Sequence, residues 1–160
     1  MTRQVGLGYA TNTGNVFMFD KEDYDLIKDY AWWENEQGYI VTSINGKNIR
    51  LHRFVFPAGN GYVVDHRNRN RADNRKCNLR AATKQQNNIN RAAGRNNRLG
   101  VKGVSYNKRC HRYEARISVG GRRIYLGSHA TLDGAREIRE KAEDDLFGEF
   151  AYREGCLFDG

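Results

Sequence analysis

Residues 63–78 read VVDHRNRNRADNRKCN, and this stretch decides the fold and the chemistry expected of the chain. A short apolar run ends at the adjacent Asp65 and His66, and five cationic side chains follow within ten residues: Arg67, Arg69, Arg71, Arg75 and Lys76. Cations at that density repel one another unless an anion is bound nearby. The pattern therefore indicates a short strand, a polar loop and an anionic partner.

The residues that follow predict a second strand and a helix. A short strand is expected over residues 79–82, after a loop at residues 67–77. Thr83 and Gln86 match a capping box, which predicts a helix that begins at about residue 84. Asparagine is a mediocre helix former, so helix propensity does not account for the asparagines on this helix.

Asp65 and His66 supply two of the requirements of phosphodiester hydrolysis. Asp65 can give a carboxylate oxygen to Mg²⁺, which needs few protein ligands and keeps several waters. His66 can accept a proton from the attacking water at neutral pH. Asn87 can add an amide oxygen if the helix packs against the strand. Asn88 and Asn90 remain alternatives, because the sequence does not fix the helix phase to within a residue or two.

Other side chains around the motif have expected supporting roles. Asn78, at the start of the second strand, can bridge the loop and orient the backbone around His66. The loop cations Arg67, Arg69 and Arg71 are expected to meet DNA phosphates. His52 is interpreted either as a packed or positioning histidine or as a side chain that approaches the active site.

Most of the positive charge sits in the middle of the chain. The formal net charge is +8; residues 60–100 hold ten Lys or Arg against two Asp or Glu, whereas the flanking regions are close to neutral. Residues 98–125 then hold eight basic residues and one Glu, and residues 133–154 hold eight acidic and four basic residues. Because basic side chains gain binding free energy by releasing counterions from phosphates, a polyanionic partner is expected.

The sequence lacks the usual signs of export or membrane insertion. No apolar run approaches the roughly 18 residues needed to span a bilayer, and Met1 is not followed by a charged and then apolar leader. Cys77, Cys110 and Cys156 are odd in number and far apart, which supports neither a disulfide framework nor a cysteine zinc site. We expect a cytoplasmic protein without a membrane partner or small-molecule substrate, and cysteines that act as small fillers.

The first 56 residues predict a β-rich extension. Residues 16–19 favour a strand, and Asp20 is expected to cap a helix that runs to about residue 30. Residues 38–56 favour a hairpin, because the Asn-Gly pair at position 45 is a strong two-residue turn signal.

Three strands and a helix are predicted beyond residue 100. The strands are expected over residues 101–106, 111–119 and 122–127, and the last two are joined by a Gly-Gly turn. Alternation predicts an apolar sheet face, formed by Tyr113, Ala115, Ile117, Val119, Ile124 and Leu126, against a helix over residues 133–147 with Ala135, Ile138, Ala142 and Leu146. The opposite face carries Arg112, Glu114, Arg116, Ser118, Arg123 and Tyr125.

Three stretches resemble a known motif in their order and spacing: Asp-His at residues 65–66, DNRKCNLR at residues 73–80 and TKQQNNIN at residues 83–90. They resemble the HNH nuclease motif in its H-N-N variant, which is common in phage homing endonucleases. The resemblance spans residues 52–90. It implies a ββα-metal (His-Me finger) fold around one divalent ion, Mg²⁺ or another such as Mn²⁺. Asp65 and Asn87 would be ligands, His66 the general base and Asn78 the residue that holds the loop. The family often has His at the third motif position, where this chain has Asn87.

Residues 100–150, which begin GVKGVSYNKRCHRYEARISVGG, resemble an APETALA2/ERF DNA-binding domain. That resemblance implies a three-stranded sheet in the major groove with a helix packed behind it. The implied DNA contacts are Lys102, Ser105, Asn107, Arg116, Ser118, Arg123 and Tyr125; Arg112 on the same face and Arg98 in the basic linker are added to them. Ser118 stands where the plant domains usually have arginine, so their target preference is not implied.

The sequence is therefore interpreted as an α+β, homing-type DNA endonuclease. Its expected segments are a β-rich extension (1–56), a nuclease core (57–93), a basic linker (94–100) and a DNA-binding domain (101–155). One active site cuts one strand at a time, so a monomer is expected to nick double-stranded DNA; the oligomeric state stays open. The alternatives are a non-catalytic DNA-binding regulator and an RNA-acting nuclease, the latter weaker because a sheet in a major groove suits B-form DNA.

Overall fold

A computed structural model of the chain describes residues 4–91, 93–94 and 96–151. These residues fall into two compact units, the first ending at Asn87 and the second beginning at Asn88. Each unit has its own cluster of buried apolar side chains. Within the described ranges, every helix is too short or too polar to cross a membrane.

Short strands and helices make up the first part of the first unit. In chain order they are β1 (Val5–Tyr9), β2 (Val16–Asp20), α1 (Tyr24–Ile27), β3 (Trp33–Glu34), β4 (Ile40–Ile44), β5 (Lys47–Arg50) and α2 (Leu51–Val55). β1 pairs with β2, and β3, β4 and β5 form a second antiparallel sheet in that order. Alternation along β2 buries Phe17 and Phe19, which join Trp32, Ile40 and Leu51 in one core.

Two predictions for this region were wrong. The helix expected from Asp20 to residue 30 is reduced to a 3₁₀ turn and α1, because the buried Asp20 side chain accepts a hydrogen bond from the Lys76 backbone N–H at 2.7 Å instead of capping. The hairpin ends at Arg50, because the chain turns into α2 and buries Leu51 and Val55. The predicted Asn-Gly turn was confirmed: Asn45 and the following glycine both have positive φ angles.

The strand, loop, strand and helix predicted around Asp65 are present in that order. β6 (Val63–His66) pairs antiparallel with β7 (Leu79–Ala82), and α3 (Lys84–Ile89) follows. The capping box is formed: the Thr83 hydroxyl accepts from the Gln86 N–H at 3.2 Å, and the Gln86 side chain accepts from the Thr83 N–H at 2.8 Å. These reciprocal bonds fix the start of a helix whose asparagines are otherwise unfavourable.

The β-rich extension and the motif strands share one core. Val64 of β6 and Leu79 of β7 belong to the same buried cluster as Phe17 and Phe19. One buried cluster therefore spans the predicted boundary at residues 56–57. The second unit begins inside α3 rather than at residue 101; residues 92, 95 and 152–155 of the predicted segments lie outside the described residues.

The second unit is a three-stranded antiparallel sheet with one long helix against it. The strands are β8 (Val104–Asn107), β9 (Arg112–Val119) and β10 (Arg122–His129), with β9 central, and the helix is α4 (Leu132–Phe147). The predicted Gly-Gly turn joins β9 to β10, and both glycines have positive φ angles. Thr131 caps α4 by accepting a hydrogen bond from the Gly134 N–H at 3.2 Å. β8 begins at 104 instead of 101, because Gly103 turns the chain with a φ of 72°.

In the second unit, two of the apolar residues that were predicted to pack between sheet and helix are exposed. Ala115, Ile117 and Ala135 are buried as expected, but Ile124 is 44% exposed and Leu146 is 50% exposed. A register shift between Tyr125 and Gly127 breaks the alternation along β10 beside Ile124. The sequence pattern also did not reveal the buried ion pair on α4 between Arg139 and Glu143, 2.7 Å apart.

The cysteines do not act as core fillers where the structure describes them. Cys77 and Cys110 are exposed free thiols. Cys156 lies outside the described residues.

Candidate active site

Asp65 and His66 occupy the end of β6, where the chain leaves the strand for the loop. The pairing with β7 places Asp65 opposite Arg80 and His66 opposite Leu79. Both polar side chains are buried, at 6% and 5% exposure. Because successive strand residues point to opposite faces, the two side chains have different partners.

Asp65 is held by a buried ion pair across the two strands. Its Oδ2 accepts hydrogen bonds from Arg80 Nε at 2.9 Å and from Arg80 Nη2 at 2.7 Å. The guanidinium therefore fixes the orientation of the carboxylate. Arg80 was not among the predicted site residues. Its position in an otherwise apolar strand was a usable signal, because a charged residue there requires a buried partner.

The His66 imidazole lies among polar and aromatic side chains. Its Nε2 is 3.5 Å from Asn74 Oδ1, and its ring centroid is 4.8 Å from that of His52 and 6.2 Å from that of Tyr39. Burial lowers the pKa of His66, although the hydrogen bond with Asn74 and the charges of Asp65 and Asp73 act in the opposite direction. The neutral ring, which is the form that accepts a proton, is therefore favoured.

His52 is both packed in the core and in contact with His66. It lies on α2 at 2% exposure, and its Nδ1 has no hydrogen-bond partner among the described residues. Burial, followed by the nearby His66, Arg50 and Arg53, lowers the pKa of His52 to about 3. His52 is therefore a packed histidine and also approaches the candidate active site, as the two sequence interpretations suggested.

Asn78 connects the two ends of the loop. Its Oδ1 accepts from the Asn68 backbone N–H at 3.0 Å, and its Nδ2 donates to the Asp73 carbonyl at 2.8 Å. Its own carbonyl accepts from the Arg67 N–H at 2.8 Å. These three bonds tie the backbone directly after His66 to the start of β7.

Two of the five loop cations are neutralised inside the protein. Arg75 forms two 2.8 Å hydrogen bonds to the buried Asp73. Lys76 Nζ lies 2.8 Å from Glu22 and 2.7 Å from Asp23. The Glu22 and Asp23 carboxylates form an acidic cluster with Asp20. Lys76 Nζ pairs with two of these three carboxylates, and the Lys76 backbone N–H donates to the third, Asp20.

The other three loop cations differ in exposure. Arg71 is exposed, stacks over the Tyr39 ring at 4.6 Å from its centroid and donates to the Gln37 carbonyl. Arg67 and Arg69 are half-buried, and Arg69 has a left-handed backbone with a φ of 62°. Their predicted role as phosphate contacts stays a prediction.

The candidate metal ligands are oxygen donors. Asn87 is half-buried on α3, and its backbone N–H donates to the Thr83 carbonyl at 3.0 Å. Asn88 is exposed and Asn90 is buried, and both fall in the second unit. Asn87 is therefore the one of the three asparagines that shares a unit with Asp65. A carboxylate and an amide oxygen suit a hard divalent cation.

The sheet of the second unit presents a polar, exposed face. Register places Arg116 opposite Tyr125 and Ser118 opposite Arg123, and all four side chains are exposed. Arg116 Nη2 also lies 2.7 Å from Glu114, which reduces its charge locally. The exposed Arg112 donates to Ser128 Oγ at 3.1 Å.

The remaining predicted DNA contacts are placed less uniformly. Ser105 and Arg98 are exposed. Asn107 is half-buried and donates to Glu114 at 2.6 Å. Lys102 precedes β8 instead of lying on it, and its Nζ donates to the Ile89 carbonyl, so its ammonium is partly used within the unit.

Comparisons with known proteins identify the family. Residues 50–89, which include Asp65, His66, Asn78 and Asn87, match the family model described as HNH endonuclease. The chain is 31% identical over 151 residues to a protein of Acanthamoeba polyphaga mimivirus named an uncharacterized HNH endonuclease, with 91% of this chain and 76% of that protein covered. No solved structure matches the chain. HNH nucleases generally use divalent metal ions and act on nucleic acid. On these matches, the chain belongs to the HNH endonuclease family and is a nuclease.

Proposed function

We propose that this nuclease is a metal-dependent, homing-type endonuclease that hydrolyses phosphodiester bonds in double-stranded DNA, with His66 as its general base. One observation carries the proposal: the buried His66 ring, whose environment favours the neutral form, follows Asp65 at the end of β6 within the matched motif. A neutral imidazole can take the proton of an attacking water.

Asp65 and Asn87 would hold one divalent ion, Mg²⁺ or Mn²⁺, in a ββα-metal arrangement formed by β6, β7 and α3. When bound, the ion supplies Lewis-acid stabilisation of the negative charge that develops at the phosphate. Arg80 supports this role, because its two hydrogen bonds to Asp65 Oδ2 fix the carboxylate before any ligand binds. The Thr83–Gln86 capping box supports it in the same way, because it fixes the start of the helix that carries Asn87.

His66 would remove one proton from water, and the oxygen would attack phosphorus in line with the leaving oxygen. The bond from phosphorus to the 3′ oxygen would break, and that oxygen would take up a proton. The products would carry 5′-phosphate and 3′-hydroxyl ends. Asn78 would keep the loop in place during this reaction through its bonds to Asn68 and Asp73.

The second unit would bind the duplex as an APETALA2/ERF-like domain. Its support is the exposed face with Arg116, Ser118, Arg123 and Tyr125 in two adjacent cross-strand pairs. Arginines on a sheet can contact phosphates and guanine edges in the major groove. Because the matched motif forms one such active site in the part of the chain that the structure describes, a monomer would nick, and a double-strand break would need a second subunit or a second event.

The test is nicking of supercoiled plasmid by the full chain, with Mg²⁺, with EDTA and with His66→Ala. We expect relaxed circles only with metal and with an intact His66. His111→Asn is the matched control, because it removes an exposed imidazole from the other unit, keeps a residue that tolerates the positive φ there, and should leave nicking unchanged. An intact plasmid that still shifts on a gel would count against this proposal and favour a DNA-binding regulator.

A further inference from the structure

A polar cleft opens on the outer side of the β3–β4–β5 sheet. Its volume is about 670 Å³, which is within the roughly 300–1,000 Å³ of typical ligand sites. The lining includes one indole, three amides and two guanidinium groups: Trp33, Asn35, Gln37, Asn48, Arg50 and Arg53. The nuclease chemistry proposed at His66 does not use these side chains.

The two arginines of the cleft differ from the paired cations of the first unit. Arg75, Lys76 and Arg80 each form an ion pair with a carboxylate. No carboxylate in the described ranges pairs with Arg50 or Arg53. Arg50 donates only a long 3.4 Å hydrogen bond to the Gln37 side chain, and Arg53 is exposed. Glu36 is the single acid in the lining, so the cleft carries a net positive charge.

Local structure explains why these charges face outward. α2 buries Leu51, His52 and Val55 in the core, and Arg53 therefore lies on its solvent side. Arg50 ends β5 directly before this helix. Both guanidinium groups are close enough to His52 to contribute to the low pKa of its ring.

Tyr39 contacts both an arginine of the cleft and the histidines of the candidate active site. The Arg50 guanidinium lies 4.5 Å from the Tyr39 centroid, and that of Arg71 lies 4.6 Å from it. The same ring is 5.2 Å from His52 and 6.2 Å from His66. One aromatic side chain therefore links the cleft, the loop cation and the general base.

We propose that this cleft binds the DNA strand that leads away from the scissile phosphate. Arg50 and Arg53 contact successive backbone phosphates, and the half-buried Trp33 packs against a sugar of the same strand. Guanidinium groups suit this ligand because they bind phosphate oxygens in a bidentate manner. This inference rests on the proposed DNA endonuclease function, since it assigns part of the substrate to a surface outside the motif.

The first test measures binding of a labelled 30-base-pair duplex in EDTA, so that no strand is cut. Arg53→Gln should weaken binding about tenfold and reduce the slope of log affinity against log salt by about 0.9, the value for one phosphate that is no longer neutralised. The matched control is Lys47→Gln, which removes an exposed cation from the same hairpin outside the cleft. Its affinity should stay within twofold of the parent chain. Equal effects of the two substitutions would overturn the proposal.

The second test uses tryptophan fluorescence. Trp32 is in the core, whereas Trp33 lines the cleft, so a change in emission on duplex binding should come mainly from Trp33. Trp33→Phe should abolish most of that change. A parent chain whose emission does not respond to bound duplex would contradict the assignment of the cleft.

Parallel plasmid assays separate the two proposals. If the parent chain nicks DNA while Arg53→Gln binds like Lys47→Gln, the cleft proposal is wrong and the nuclease assignment stands. If the parent chain neither binds nor nicks DNA, both are wrong.

Discussion

The rings of His52 and His66 meet nearly edge to face, at an interplanar angle of 80° with centroids 4.8 Å apart. His52 comes from α2 and His66 from the end of β6, so two consecutive elements of the chain supply one buried pair. Tyr39 contacts both rings and adds a third aromatic wall. Because burial disfavours a charge on either imidazole, the pair is a site at which protonation opposes folding.

Protein stability should fall as the pH is lowered below about 6.5. The pKa of His52 falls from 6.5 to about 3 on folding, so between these values the unfolded chain binds more protons than the folded chain. The free energy of unfolding then decreases with falling pH, by up to about 1.4 kcal/mol per pH unit for one group. His66, whose pKa is also lowered, acts in the same direction.

Urea unfolding at several pH values measures this dependence. His52→Phe keeps an aromatic ring against His66 and should reduce the slope between pH 6.5 and 4. His111→Asn, which removes an exposed imidazole, should leave the slope intact. An unchanged slope in His52→Phe would show that other groups control the acid sensitivity.

Removal of Arg80 should destabilise the protein strongly. Arg80→Leu leaves the buried Asp65 carboxylate without its ion-pair partner, and loss of one member of such a pair costs about 3–5 kcal/mol. The double variant Asp65→Asn, Arg80→Leu should recover part of this stability, because it also removes the buried charge. Chemical denaturation of the parent chain, Arg80→Leu, Asp65→Asn and the double variant completes a double-mutant cycle. Additive effects would mean that the two side chains are not coupled.

Asn78→Ala should loosen the loop between β6 and β7. It leaves the Asn68 N–H and the Asp73 carbonyl without partners, and each buried polar group left unsatisfied costs about 1–3 kcal/mol. Hydrogen exchange should show faster exchange at Asn68. Asn78→Asp is the second variant: it keeps the acceptor for Asn68 and replaces the donor to the Asp73 carbonyl with a carboxylate oxygen. Equal exchange rates in the two variants would contradict the role given to the acceptor.

Local signals predicted the elements well. The Thr83–Gln86 capping box, the Asn-Gly turn at residue 45 and the Gly-Gly turn at residue 120 each depend on residues a few positions apart, and all three are formed. Such interactions can be recognised from a few neighbouring residues, because turns and helix caps are formed by residues that are close together in the sequence.

Contacts between distant residues were not predictable in this way. Asp20 was expected to cap a helix, but it binds the backbone of Lys76, 56 residues later. Lys76 was expected to add to the basic loop, but it pairs with Asp23. The composition of a segment does not show whether a cationic side chain pairs with an acidic side chain of the same protein or faces a ligand. Only the folded chain brings a distant acidic side chain into contact with that cation.

Asn87→Ala should abolish metal-dependent nicking or sharply raise the Mg²⁺ concentration that it requires. Asn88→Ala is the neighbouring control: its side chain is exposed, and it should nick like the parent chain. The measurement is the initial nicking rate over a Mg²⁺ titration. If Asn88→Ala impaired nicking and Asn87→Ala did not, the metal ligand would be Asn88, and another face of α3 would belong to the site.

Arg123→Ala should weaken duplex binding more than Arg122→Ala. Both arginines are exposed at the start of β10, but consecutive strand residues point to opposite faces. Arg123 pairs with Ser118 and so shares the polar face, whereas Arg122 pairs with Val119. If Arg123 neutralises one phosphate, its removal should reduce the salt slope by about 0.9, measured by anisotropy in EDTA. Equal losses of affinity in the two variants would mean that net charge, and not this face, governs binding.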